Sequence, residues 1–346
     1  SDVCSSALTG PARDFTVKID ASGLRAGEVY YYRFRYEDIT SPVGRTRTLP
    51  EGHVTQARLA VFSCANFSSG YFNIYAEVAK RDDIDVALHL GDYIYEDGPG
   101  GYATADAARL GRMPEPAREL LSLDDYRARY AQSRRDPDLQ AVHASLPFIC
   151  VWDDHEIADN AYATGAGNHD PATEGDYALR RAAALQAYLE WLPIRSPDPQ
   201  NLLEIFRAFE FGDLLTLHML DTRHIARARQ LDYADYYNPV TGVFDAARFA
   251  ADMASPARPM LGAPQMRWLQ DGMSASCATW QVLGQQVLMG RMYLPMPLLA
   301  PDPRTPMVSL AEYGAIATAF ATYQAVVAQL TAGGVPVTPQ ALLAAG

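Results

Sequence analysis

The sequence predicts an α/β domain preceded by a short all-β module. Short apolar runs recur through the middle of the chain and each stops at polar residues, the first two runs are separated by residues at helical spacing, and residues 1–54 alternate polar and apolar instead. Alternation marks half-exposed antiparallel strands, whereas continuous apolar runs mark strands buried on both faces.

In the first module, Asp14 to Asp20 and then Glu28 to Tyr36 alternate, with turns at Gly23 and Gly27. A seven-stranded sandwich needs about 100 residues, so 1–54 reads as part of an immunoglobulin- or fibronectin-like module. Ser41-Pro42-Val43-Gly44 and Pro50-Glu51-Gly52 punctuate its exit. The boundary is expected near His53, with 55–346 forming the second domain.

That domain opens with Leu59-Ala60-Val61-Phe62, a strand ending at Ser63-Cys64-Ala65-Asn66. Phe72, Tyr75, Val78 and Ala79 then recur at helical spacing, and Val86 to Leu90 forms a strand that stops at Gly91-Asp92, with Tyr95 three residues on. Such a β-α-β unit is right-handed and puts both strand ends on one edge, where ligands gather, so Cys64 and Asp92 should lie side by side. Gly-Asp is also ordinary turn chemistry. Pro147 to Trp152 then runs into Asp153-Asp154-His155-Glu156, and Leu214 to Leu220 into Asp221-Thr222-Arg223. Trp280 to Gln286 reads as a fifth strand, Tyr177 to Trp191 as an amphipathic helix, and Pro264 to Leu269 as the start of another. Gly98 to Pro116 and Asp232 to Pro259 read as long insertions able to roof a site, and Ala311 to Leu330 as a late helix.

Composition narrows the function classes. The chain has 346 residues and a formal net charge of -12, which argues against a nucleic-acid partner and suits cations. No apolar stretch is long enough to span a membrane. Ser1-Asp2-Val3-Cys4 lacks a basic and an apolar region, so any export signal is expected to be removed or absent. Cys4, Cys64, Cys150 and Cys277 have no metal-finger spacing; Cys150 reads as a buried hydrophobe, and one disulfide among the other three stays open.

Strand ends bearing Cys64, Asp92, Asp154 and His155 suggest a hydrolytic metal centre, with Asp92 as the bridge between cations. A Tyr95 phenolate and a Cys64 thiolate favour a strong Lewis acid such as ferric iron, while Asp154 and Asn66 suit a hard divalent ion. His155 fits a general acid or an oxyanion donor, and Arg223 a bidentate phosphate contact. The blander readings are an inert thiol at Cys64, a turn cap at Asp153, an orienting or ion-paired Glu156, and satisfied core histidines at His89 and His218.

Phe62-Ser63-Cys64-Ala65-Asn66, Gly91-Asp92-Tyr93-Ile94-Tyr95-Glu96, Trp152-Asp153-Asp154-His155-Glu156 and Leu220-Asp221-Thr222-Arg223 together resemble the PhoD-type alkaline phosphatases, a branch of the calcineurin-like metallophosphoesterases. The likeness runs from about Thr48 to Gln286, and Val43 to Thr48 resembles the end of that family's N-terminal sandwich. It implies a four-layer α-β-β-α metallophosphoesterase domain with Fe3+ and Ca2+, or alternatively Zn2+ or Mn2+. Cys64 and Tyr95 would hold the iron, Asp92 would bridge, and Asp154 would serve the calcium. The implied reaction is hydrolysis of small phosphate monoesters by a metal-bound hydroxide, in a secreted or periplasmic protein. The family's C-terminal Gly-Asp-x-His motif is absent from these 346 residues, so a separate segment is expected to complete the site. A phosphodiesterase or phospholipase D-like activity on the same fold, and a non-catalytic surface binding protein, are the alternatives.

Overall fold

The computed structural model describes residues 7–196, 198, 200–290, 322–334 and 336. By internal contacts the chain divides into two units, residues 1–230 with 256–287 and residues 231–255 with 288–346.

The first unit opens with four short strands, β1 (Val29–Tyr32), β2 (Arg35–Tyr36), β3 (Ile39–Thr40) and β4 (Gly44–Arg47). They form two antiparallel pairs, β1 with β4 and β2 with β3, and their side chains stay largely exposed. Asp14 to Asp20, expected as a strand, is not one. Its polar side chains are engaged elsewhere: Asp14 Oδ2 accepts from Trp191 Nε1 at 3.0 Å, and Lys18 Nζ donates to the carbonyls of Leu189 and Ile194. Arg45 donates to Ser145 O at 3.2 Å, and Arg47 pairs with Asp85.

Next come β5 (Leu59–Phe62), α1 (Asn73–Ala79), β6 (Val86–His89), α2 (Ala107–Leu110), α3 (Leu123–Arg134), α4 (Pro137–Ser145) and β7 (Phe148–Cys150). The strands form a parallel sheet in the order β5-β6-β7, with Leu59 opposite Val86 and Leu88 opposite Ile149. Every residue of β6 and β7 is buried, which is why both read as apolar runs, interrupted only by His89 in β6. The sequence reading missed α3 and α4, because the buried face of α3 consists of Asp125, Tyr126, Arg129, Tyr130, Gln132 and Ser133 and shows no apolar stripe. Both helices begin with strong caps instead: Ser122 and Asp125 form a capping box, and Asp136 caps the Pro137 start.

After α5 (Pro171–Glu174) and α6 (Tyr177–Trp191), β8 (Arg207–Phe211) and β9 (Leu215–Met219) pair antiparallel. In the second unit α7 (Ala246–Met253) follows, and Phe249 on it packs against Tyr233 and Tyr236. Back in the first unit, α8 (Gly262–Ala275) leads to β10 (Trp280–Gly284), which runs parallel to β9. One core joins both sheets, from Phe62, Leu88 and Ile149 to Leu217 and Met219, with Trp152 and Tyr188 among its fully buried side chains. Of the expected late helix, 322–330 is helical, and 311–321 lies outside the described residues. No helix among the described residues is long and apolar enough to cross a membrane.

The ladder of the first sheet continues past its strands. Leu90 N donates to Phe62 O at 2.8 Å, Cys64 N to Gly91 O at 3.2 Å, and Ala65 N to Asp92 O at 2.8 Å. This pulls the ends of β5 and β6 together, and Gly91 lets the end of β7 approach as well. Its φ is 108°, and a methyl group there would sit 2.1 Å from the backbone nitrogen of Asp153. Gly91→Ala is therefore expected to destabilise the fold by about 1–3 kcal/mol, the usual range for overpacking against an unyielding neighbour. Chemical denaturation measures this, and an unchanged midpoint would show that the approach is looser than described.

Candidate active site

Past the strand ends the backbone turns sharply. Cys64 and Asp92, neither of them glycine, adopt left-handed φ values of 57° and 55°. Such a conformation costs about 1–3 kcal/mol per residue and persists only where the surroundings impose it. Glu156 is one source of that constraint. Its buried carboxylate accepts from Asp92 N at 3.0 Å, Tyr93 N at 2.6 Å and Asp153 N at 2.8 Å, binding the turns after β6 and β7 to a single side chain.

The turns deliver the side chains to one place. Asp92 Oδ2 accepts from Tyr95 OH at 3.0 Å and from Cys64 Sγ at 3.5 Å, while Asp92 Oδ1 is buried without a hydrogen-bond partner. Donor atoms of Asp92, Asp154 and His155 lie within 4.8 Å of one another. Asp154 Oδ2 also accepts from Asn160 N at 2.6 Å, which fixes its orientation. Arg223, arriving from the end of β9, donates through Nε to Asp153 and lies 3.4 Å from Asp154 Oδ1 through Nη2, and its Nη1 has no partner. The turn carrying it is held by Asp221, whose Oδ1 accepts from Arg223 N and His224 N at 2.7 and 2.9 Å.

Of the expected site residues, Cys64, Asp92, Tyr95, Asp154 and His155 converge, and Arg223 joins them through the Asp153–Asp154 pair. Asn66 stands two residues from Cys64 and uses Oδ1 to cap the next turn, accepting from Ser68 N at 3.0 Å; its Nδ2 is buried and unpartnered. Asp153 is an ion-pair partner of Arg223, and Glu156 orients its neighbours' backbone. His89 and His218 are core histidines, bonded to Tyr75 OH and Gln281 Oε1. Cys64, Cys150 and Cys277 are free thiols, Cys150 buried with its pKa pushed up to about 12 by desolvation, and Cys4 lies outside the described residues.

The sequence reading missed Glu96 and Asp159. Glu96 is fully buried, accepts from His155 Nδ1 at 2.7 Å, and receives Asp159 N at 2.6 Å and Asn168 Nδ2 at 2.9 Å. Asp159 Oδ1 lies 3.6 Å from His155 Nε2. Glu96 follows Tyr95 directly, and its only signal was a charged residue ending an otherwise apolar turn. Tyr102, from the first insertion, stacks at 6.1 Å on both Tyr95 and His155.

The electrostatics follow from this crowding. Burial raises the pKa of Cys64, Asp92 and Tyr95, and the charges on Asp92 and Asp154 push the same way. Asp153 is pushed up to about 7 by burial and by Asp154, against the pull of Arg223. A thiol, a phenol and carboxylates held together while resisting ionisation, with one Asp92 oxygen left bare, are a donor set that a cation would complete, since ligation favours the deprotonated forms. At His155, burial works against the charged ring, but the hydrogen bond and charge of Glu96, with Asp92 and Asp154, outweigh it and raise the pKa to about 10.

Comparison with known proteins decides the family. The PhoD-like phosphatase model matches residues 59–325, and the model of the PhoD-like phosphatase N-terminal domain matches residues 3–50.

The chain belongs to the PhoD-like phosphatase family.

It is 36% identical over 290 residues to alkaline phosphatase D of Bacillus subtilis (strain 168), covering 82% of this chain and 46% of that relative. A solved structure titled "Structure of PhoD" matches with a TM-score of 0.69 at 36% identity, over 81% of this chain and 51% of that one. The chain thus spans about half the length of the relatives it matches. The mixed α/β fold agrees with the PhoD-like match, and Asp92, Asp154 and His155 form a cluster of the kind that a metal-dependent family requires.

Because His155 has a folded pKa above its ordinary value of 6.5, its pairing with Glu96 stabilises the metal-free fold fully below that pH. The contribution fades as the pH rises towards about 10. Glu96→Gln is expected to bring the His155 titration down by two units or more, about 3 kcal/mol of coupling by the usual conversion. NMR of the metal-free protein reads the titration directly, and an unmoved His155 would remove Glu96 as the cause.

Proposed function

We propose that the protein hydrolyses phosphate monoesters at a mixed metal centre held by Cys64, Asp92, Tyr95 and Asp154. The observation that carries this reading is the meeting of thiol and phenol on one oxygen of Asp92 while its other oxygen stays buried and bare. Cys64 and Tyr95 would hold ferric iron, Asp92 would bridge, and Asp154 would serve calcium. An amide oxygen has two acceptor positions, so Asn66 would have one left for the calcium side beside its Ser68 cap. When bound, such cations supply Lewis acidity and make a coordinated water acidic near neutral pH.

The chain's own groups do the rest. Arg223 has a free Nη1 and would bind a non-bridging phosphate oxygen, while Asp153 holds the guanidinium at the required angle. His155, kept protonated by Glu96, would donate to the oxygen of the departing alcohol and stabilise the charge that develops there. Glu156 takes no proton in this scheme and keeps the turns in place. The reading also assigns the two sheets and their helices to a four-layer α-β-β-α arrangement of residues 55–346, places 1–54 in a partial sandwich module, and puts the protein outside the cytoplasm.

Two substitutions test separate parts. Asp92→Asn should remove bound iron and calcium together and cut turnover of a chromogenic monoester by at least about 100-fold, as loss of metal support does; elemental analysis showing full metal occupancy in this variant would defeat the bridging role. Arg223→Ala should keep the metals and raise KM by about 10- to 100-fold, the equivalent of one charged hydrogen bond. Activity on a bis-ester exceeding that on the monoester would shift the assignment to a phosphodiesterase.

A further inference from the structure

We propose that Tyr102 is a specificity-determining platform that favours esters whose leaving group is a planar aromatic ring. The inference rests on the phosphoesterase reading of the site.

Tyr102 is 64% exposed, yet its ring lies 6.1 Å from that of Tyr95 at an interplanar angle of 20° and 6.1 Å from that of His155 at 15°. His155 and Tyr95 are themselves in contact, with ring centroids 4.2 Å apart. Three rings thus form a continuous surface, of which only the Tyr102 end is open to solvent. It adjoins the histidine proposed to serve the departing alcohol, which is where a leaving group must lie.

The loop that presents Tyr102 is built rather than slack. Gly101 N donates to Gly98 O at 3.1 Å, and Gly100 N donates to Thr104 Oγ1 at 3.0 Å, which in turn donates to Gly101 O at 2.9 Å. A methyl group on Gly98 would sit 2.7 Å from the backbone carbon of Arg118, and one on Gly101 would sit 2.5 Å from Asp97 Oδ1. Ala103, immediately after the tyrosine, has a φ of 55°, a conformation that costs energy for any residue with a side chain. A strained, closely packed loop that holds an aromatic ring out in water beside the acid cluster gains little stability from doing so. A preformed stacking partner for a ligand ring accounts for the arrangement, because offset stacking against a fixed tyrosine loses little entropy.

The experiment measures binding apart from turnover. The full chain, loaded with iron and calcium, is titrated calorimetrically with phenylphosphonate and with methylphosphonate, as wild type, Tyr102→Phe and Tyr102→Ala. The wild type and Tyr102→Phe should bind phenylphosphonate about 5- to 10-fold more tightly than methylphosphonate, the range expected for one aromatic pair. Tyr102→Ala should abolish that preference while changing methylphosphonate affinity less than twofold. Equal affinity of the wild type for the two ligands, absence of binding by either, or an equal loss for both in Tyr102→Ala would overturn the proposal; the last would make Tyr102 only a support for His155. Turnover of phenyl phosphate and methyl phosphate by the wild type is scored separately. If the binding preference holds while neither ester is cleaved, the phosphoesterase reading fails and the platform stands.

Discussion

The buried carboxylate of Glu156 is the constraint on which the site depends. Three backbone N–H groups from the turns after two adjacent strands converge on it, two on one oxygen and one on the other. Burial and the charge of Asp92 push the Glu156 pKa up to about 8, so the folded chain holds the acid against an electrostatic cost. The three N–H bonds offset that cost and hold Asp92 in a left-handed conformation it would otherwise leave. Without this clamp Gly91 and Asp153 would have no reason to approach as they do, and the two aspartates that follow β6 and β7 would not face the same point.

A second line of polar contacts runs inward from the site. His155 rests on Glu96, Glu96 on the side-chain amide of Asn168, and the carbonyl of Asn168 on Arg180 at 3.0 Å. Arg180 is fully buried in α6 and is satisfied by Glu119 at 2.7 Å, Glu174 at 2.9 Å and Tyr126 OH at 3.1 Å. A buried guanidinium is tolerable only when its donors are paired, and this one converts that need into a rigid support for the imidazole. The polar interior explains why α3 and α6 can pack together although α3 lacks an apolar stripe: their interface is organised around Tyr126, Tyr130, Arg180 and Tyr188.

How much of this is legible in the sequence depends on whether a feature is local. The buried strands β6, β7 and β9 stand out because burial on both faces leaves mostly apolar residues, broken only by His89, Thr216 and His218, and the polar residues after these strands and after β5 mark the place where Asp92, Asp154, Arg223 and Cys64 meet. The segment Asp14 to Asp20 misleads because alternation is also produced by an open chain whose polar side chains reach distant residues of the same unit, here Leu189 and Trp191. β8 alternates visibly in Arg207-Ala208-Phe209-Glu210-Phe211, but it lies close before the clearer apolar run of β9. Glu96, Asp159 and Tyr102 stay hidden for another reason. Their roles are defined by distances to His155 across 59, 4 and 53 residues of chain, and only the nearest of these separations has a fixed spatial meaning in sequence.

The balance of charge at the centre bears on how a phosphate ester can approach it. Asp92, Asp153, Asp154, Glu96 and Asp159 gather around His155 and Arg223, with Arg227 acting on Asp153 and Asp154 and Arg129 on Glu96, within a chain whose formal net charge is -12. A dianionic ester entering that set of groups alone meets repulsion, and Arg223 is already engaged with two carboxylates. Cations placed between the carboxylates reverse the sign of the local field and relieve Arg223 of part of its neutralising task. On the proposed reading, then, the same excess of acid that argues against nucleic acid as a partner is what makes phosphate recognition conditional on metal loading. Cys64 and Tyr95, both disfavoured as free anions by burial, add to that condition, since they become ligands only where a strong Lewis acid can claim their protons' place.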